Sequence, residues 1–143
     1  MKNVDMDVWQ DNALAPEKEK TKKILNDGVD AVFSTSWPEC QPYENLTIFL
    51  KTYRPYLKLN GIIIFTAATH AYDKVKNSQY HSADWNLPVE KRRPSEYKLR
   101  IDSDEVNKLA NDCGYKLERS ATFSTLITGN PKMATYMLRR ETT

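Results

Sequence analysis

With 143 residues, 40% hydrophobic and 28% charged, the chain has the size and composition of one folded domain rather than a disordered or fibrous segment. A formal net charge of +2 is too small to imply a nucleic-acid partner, and no apolar run approaches the roughly 20 residues a membrane helix needs. Met1-Lys2-Asn3-Val4-Asp5 lacks the apolar stretch of a secretory signal, and Cys40 and Cys113 form no CxxC pair; the expectation is a cytoplasmic setting with two unpaired thiols.

Taken in chain order, Val4 to Trp9 alternates apolar and polar residues (Val4, Met6, Val8), the period of a strand, and stops at Asp11-Asn12. Pro16 suits a first helical turn, with Glu17 and Glu19 at the positive end of the helix dipole, so a short helix is predicted over Pro16 to Asn26, closing at Gly28. Val29 to Ser34 reads as a second strand and ends in Ser34-Thr35-Ser36-Trp37-Pro38.

A stronger helix is predicted over Tyr43 to Lys58. Leu46, Phe49, Leu50, Tyr53 and Leu57 share one face at helical spacing, and Pro55 should kink the last turn. Asn60-Gly61 is expected to turn the chain into Ile62-Ile63-Ile64-Phe65, whose unbroken apolar run suits a parallel strand covered on both faces.

Residues 67–101 are irregular, polar and aromatic, too long for a plain connection, and read as a functional excursion or as hiding a helix. They carry His70, Tyr72, Tyr80, His81 and Trp85, an aromatic and titratable group that either serves a site or anchors the loop. Residues 70–101 also hold seven basic and four acidic side chains. Lys91-Arg92-Arg93 beside Glu90 and Glu96 reads more readily as a solvated loop than as a phosphate grip. Asp102 with Glu105 has the spacing of a capping box; Val106, Leu109, Ala110 and Cys113 form the buried stripe, and Gly114 ends that helix. Tyr115 to Thr128 and Lys132 to Arg139 are strand-like runs joined by Gly129-Asn130-Pro131, an antiparallel hairpin.

Strands separated by helices imply parallel pairing with right-handed crossovers. A closing hairpin on such a sheet is similar to the second half of class I S-adenosylmethionine-dependent methyltransferases. Three stretches carry the resemblance: Asp30-Ala31-Val32-Phe33-Ser34-Thr35-Ser36 resembles the family's fourth strand and following loop; Leu57-Lys58-Leu59-Asn60-Gly61 with Ile62 to Thr66 resembles its "LKPGG" turn and fifth strand; Asp112-Cys113-Gly114-Tyr115-Lys116-Leu117 resembles the exit from its last helix.

The resemblance implies an α/β, Rossmann-like three-layer sandwich, with parallel strands closed by a C-terminal antiparallel hairpin and the family's N-terminal strands missing. Residues 1–143 would be a single partial domain with an acceptor-side insert at about 67–101. It implies S-adenosylmethionine as cofactor and a small-molecule methyl acceptor. Asp11 and Asn12 would meet the adenine, and Ser34, Thr35, Ser36 and Trp37 would line the donor site. Tyr72, Tyr80 and Trp85 would shape the acceptor side, with His81 and His70 available for proton transfer. Bland readings stand beside these: Asp11-Asn12 as a turn, Trp37 as packing on the next helix.

The chain departs from the pattern at its glycines. Gly28, Gly61, Gly114 and Gly129 are the only four, and none forms GxG, so the glycine-rich loop through which the backbone approaches such a cofactor is absent. A non-catalytic module, acting through a partner chain or homo-oligomer that supplies the missing strands, is the alternative. With two histidines and no clustered cysteines, no metal site is expected.

Overall fold

The computed structural model describes residues 11–124 and 132–142. The expected strand at Val4–Trp9 and the hairpin tip lie outside these residues.

Seven regular elements follow in order: α1 (Lys18–Ile24), β1 (Val29–Ser34), α2 (Tyr43–Tyr53), β2 (Leu57–Ala68), α3 (Ser103–Asp112), β3 (Tyr115–Ser124) and β4 (Lys132–Arg140). Among the described residues they form a four-stranded sheet in the order β1-β2-β4-β3. β1 runs parallel to β2, while β4 is antiparallel to both β2 and β3. The anticipated α/β architecture, parallel strands closed by an antiparallel hairpin, is what the chain adopts, with Ile62 to Phe65 inside the sheet.

Cross-strand pairing explains the core. Ile63 faces Leu138, Phe65 faces Tyr136 and Ala67 faces Ala134, so alternate residues of β2 and β4 point to one side. There they meet Leu46, Phe49 and Leu50 of α2 and Val106, Leu109 and Ala110 of α3, all buried. The rings of Phe65 and Tyr136 pack at 5.4 Å. Two buried tyrosines tie the layers by their hydroxyls: Tyr115 donates to the Leu50 carbonyl at 2.7 Å and Tyr136 to the Ile101 carbonyl at 2.8 Å. Burial raises the pKa of the Tyr136 hydroxyl to about 12, so it remains a donor at any physiological pH.

The opposite face is covered differently from the expectation for the central strand. At the C-terminal end of β2 the insert closes it, Tyr72 packing with Ala68 and Met133 and flanked by Val75 and Tyr97. Farther down, Ile62, Ile64 and Met137 are only half-buried, and Phe33 is 67% exposed. Both α2 and α3 pack on the other side, which is why this end of the face stays partly open.

Several boundaries moved for local reasons. α2 stops at Tyr53 because Pro55 cannot continue the hydrogen-bond ladder, and Arg54–Tyr56 tightens into a 3-10 turn. β2 then begins at Leu57, five residues before the apolar run. Asn60-Gly61 sits within the strand as an irregularity: Val29 faces Leu57 but Ala31 faces Ile62, and Asn60 adopts φ +62°. A Cβ on Gly61 would lie 2.9 Å from the Lys58 carbonyl oxygen, so only glycine fits this close passage. The α3 start is as read: Glu105 accepts from the Asp102 N–H at 2.9 Å, and the Asp102 carboxylate caps the helix in return.

Candidate functional site

Parallel strands β1 and β2 deliver their carboxyl ends to one edge of the sheet, where open α/β sheets carry their ligands. Ser34 closes β1 opposite Phe65, and the chain leaves the sheet through Thr35, Ser36 and Trp37. Ser36 takes φ +59°, uncommon for a residue with a Cβ. It is held there by its N–H, which donates to Thr66 Oγ1 at 3.2 Å. The Thr66 hydroxyl donates onward to Glu39 Oε2 at 3.1 Å. Trp37 turns away from the edge and packs on Phe49 of α2, ring centres 5.5 Å apart, as the packing alternative anticipated.

Glu39 is a residue the sequence reading missed. It is only 5% exposed, sits in a short 3-10 turn (Pro38–Cys40), and its carbonyl accepts the N–H groups of Lys98 and Leu99 at 2.8 and 3.1 Å. Burial pushes its carboxyl pKa up, partly opposed by hydrogen bonds to the carboxylate, Thr66 among them. The available signal was a polar residue five positions past a strand end, behind a proline that starts a turn. Cys40 beside it is a free thiol whose pKa is raised by burial and by Glu39 and Glu96, the reverse of what activates a nucleophile.

Asp11 and Asn12 adopt turn geometry. The Asp11 carboxylate accepts from the N–H groups of Asn12 and Glu17 at 2.8 and 3.0 Å, and Asn12 Oδ1 accepts from Leu14 at 3.0 Å. The segment that follows, Leu14 to Pro16, lines a cavity with Lys51, Thr52, Pro55 and Tyr56 near the C-terminal end of α2. Among the described residues no hydrogen bond joins Asp11 or Asn12 to Ser34–Trp37.

The insert is fastened by its own side chains. Asp84 accepts the Arg93 N–H and a two-pronged contact from its guanidinium at 2.7 and 2.9 Å, which holds the Asp84 carboxyl well below the usual carboxylate range. Arg92 donates to the Leu87 carbonyl and Asn77 and lies 5.3 Å from the centre of the Tyr80 ring. Trp85 Nε1 donates to the Tyr80 carbonyl at 3.1 Å. Two of the three basic residues at 91–93 thus serve the loop itself.

His81 accepts the Ala83 N–H on Nδ1 at 3.2 Å, which places the proton of a neutral ring on Nε2. Glu96, 3.9 Å from that ring, is itself bonded to the Ser82 N–H and hydroxyl. His70 lies apart from this group: its Nε2 is 2.7 Å from Glu105, its Nδ1 3.8 Å from Asp73, and its N–H donates to Asp102 at 3.1 Å. Burial is the largest single influence on the His70 pKa and lowers it, but the Glu105 bond and the charges of Glu105, Asp102 and Asp73 together outweigh it and raise the value overall. Tyr72 is fully buried, edge-on to Tyr97 at 5.2 Å, with the Arg100 guanidinium 4.6 Å from its ring centre.

The structure therefore gathers Ser34, Thr35 and Ser36 at the strand tips, and Tyr80, His81 and Trp85 in one loop. His70 stands at the α3 start, and Tyr72 underpins the insert. No group of three or more potential metal-ligating side chains occurs among the described residues, and no helix there is long and apolar enough to cross a membrane.

No family model and no curated protein matches the chain. Solved structures do. An S-adenosylmethionine-dependent methyltransferase from Methanosarcina mazei superposes with a TM-score of 0.60 at 11% identity, covering 80% of this chain and 60% of the other. An O-methyltransferase family protein from Burkholderia thailandensis gives 0.52 at 14%, covering 93% and 35%. Magnesium protoporphyrin IX methyltransferase from Synechocystis PCC 6803, with bound S-adenosylhomocysteine, gives 0.51 at 12%, covering 87% and 57%. The chain has the fold of S-adenosylmethionine-dependent methyltransferases and spans 60% or less of the length of these three.

Proposed function

We propose that the chain contributes to S-adenosylmethionine-dependent methyl transfer onto a small-molecule acceptor. The supporting observation is the sheet itself: parallel β1 and β2, closed by β4 and β3, with Ser34, Thr35 and Ser36 presented at the strand tips. The residues there suit the cofactor. Three hydroxyls offer hydrogen bonds to its amino-acid part, and the Glu39 carboxylate beneath them favours a cationic neighbour. When bound, the cofactor would supply an electrophilic methyl on a sulfonium. The protein's own part is alignment of donor and acceptor, with Tyr80, Trp85 and His81 on the acceptor side and His70 at the far rim. With Nε2 as its donor, His81 orients an acceptor oxygen.

Calorimetric titration of S-adenosylhomocysteine into the purified chain tests this reading. Saturable heat is expected; no heat from a chain with an intact circular dichroism spectrum contradicts it.

A second reading rests on Phe33. β1 pairs only with β2 among the described residues, and this ring is 67% exposed on it. A partner chain or a second copy that adds strands beside β1 would cover it, making the chain a module without catalysis of its own. Size-exclusion chromatography with light scattering decides: a larger assembly is expected on this reading, and a strict monomer contradicts it.

A further inference from the structure

The strand register fixes what stands on the sheet face opposite α2 and α3. Phe33 pairs with Ile64, Ile64 with Met137 and Met137 with Arg119, so these four side chains form one row across β1, β2, β4 and β3. The next row is Ala31, Ile62, Arg139 and Lys116. In both rows the β1 and β2 positions are apolar and the β3 position is a cation.

This part of the face is open. Ile62, Ile64 and Met137 are half-buried, Ala31, Lys116 and Arg119 are exposed, and Phe33 is 67% exposed. Neither Lys116 nor Arg119 forms an ion pair or hydrogen bond among the described residues, while Glu118 between them is taken up by Arg139 at 2.7–3.1 Å. Above, Tyr72, Val75 and Tyr97 of the insert stand on Ala68 and Met133, on this same side. Below that wall, the stretch from Ile62 to Thr66 is about 13 Å long at roughly 3.3 Å per residue, and four strands span about 14 Å. A helix about 10 Å across fits this step. A broad flat surface such as a bilayer is kept from Ile62 and Ile64 by the insert beside them.

We infer that this face binds an amphipathic α-helix of a partner protein, with its apolar stripe on Phe33, Ile62, Ile64 and Met137 and an acidic flank along Arg119 and Lys116. Parallel strands such as β1 and β2 are ordinarily covered on both faces, and α2 and α3 cover only one. Charge on the flank selects the partner, since a basic flank would meet two unpaired cations. Neither reading above is needed for this, because the helix lies on the sheet face and not at the strand tips or the outer edge of β1.

Fluorescence anisotropy tests it with labelled, helix-stapled peptides about four turns long. One has a leucine stripe flanked by glutamates; its counterpart has lysines in their place. The acidic peptide is expected to bind the full chain about tenfold more tightly than the basic one. Arg119→Glu should remove or invert that preference, and Phe33→Ser should weaken both peptides about fivefold to tenfold. Both side chains are exposed, and the circular dichroism spectrum checks that the fold is kept. No binding of the acidic peptide, equal binding of the two, or indifference to both substitutions would each overturn the inference. So would self-association of the chain alone that Arg119→Glu abolishes, which puts a second copy on this face, or sedimentation with phosphatidylserine vesicles that the same change abolishes. Strands added beside β1 are separable: Arg119 stands on β3, at the opposite edge of the sheet, so its substitution leaves them in place.

Discussion

Thr66 donates its hydroxyl to Glu39 across 27 residues of sequence, tying the turn after β1 to the tip of β2. The same Thr66 oxygen accepts from the Ser36 N–H, so one hydroxyl holds both the loop backbone and a buried carboxylate. Replacing Thr66 with Val keeps the shape and removes both bonds. The expected cost is about 1–3 kcal/mol, measured by urea unfolding at neutral pH.

The Glu39 carboxyl has its own pH signature. Its pKa in the folded state is raised above 4.5, so the folded chain holds this proton more tightly than the unfolded chain. The ionised group thus costs stability above the folded pKa, and that cost is relieved as pH falls through that value toward 4.5. Compared with Glu39→Gln, the unaltered protein should gain stability as pH falls from neutral to about 4.5. Paired urea titrations at the two pH values check the sign.

His70 behaves in the opposite direction. Its raised pKa gives stability that is complete below 6.5 and is lost as pH rises through the folded value. The ring is about half exposed (48%), so solvent screening holds the effect to under about 1 kcal/mol. NMR titration of the imidazole should give a pKa above 6.5, falling when Glu105 is changed to Gln.

In the insert, Asp84→Asn should loosen the loop without unfolding the sheet. It weakens the two-pronged contact with Arg93 that closes residues 84–93. Limited proteolysis should cut within 77–96 about tenfold faster, while the fragment carrying α3, β3 and β4 stays resistant.

Packing of β2 against β4 should show a steep hierarchy. Tyr136→Phe removes a hydroxyl that bonds the Ile101 carbonyl and interacts with the Ser103 side chain, and is expected to cost about 1 kcal/mol. Phe65→Ala empties a fully buried position facing Tyr136 and should cost about 3–5 kcal/mol. Thermal or urea unfolding of both variants checks the ratio.

Where a periodic pattern was long, the sequence was enough to read the fold. The Val106, Leu109, Ala110 and Cys113 stripe is buried as its spacing implied, and the Asp102–Glu105 cap forms. Val29–Ser34 is a strand with those bounds. Misreadings fell where neighbours override local preference. Asn60-Gly61 has the composition of a turn, yet pairing with β1 draws it into β2 as a bulge. The site was less legible. Glu39 is two residues beyond Trp37, but nothing local says that Thr66 will meet it. Of the aromatic residues in the insert, Tyr72 goes entirely inside, on Ala68 and Met133 and beneath Arg100, while Tyr80 and Trp85 stay partly outside.

Photolabelling tests the central claim most directly. The purified chain would be irradiated with radiolabelled S-adenosylmethionine and the modified peptide sequenced. The account predicts saturable labelling within residues 34–40, suppressed by S-adenosylhomocysteine. No saturable label on the folded chain, or a label confined to another segment, would contradict it.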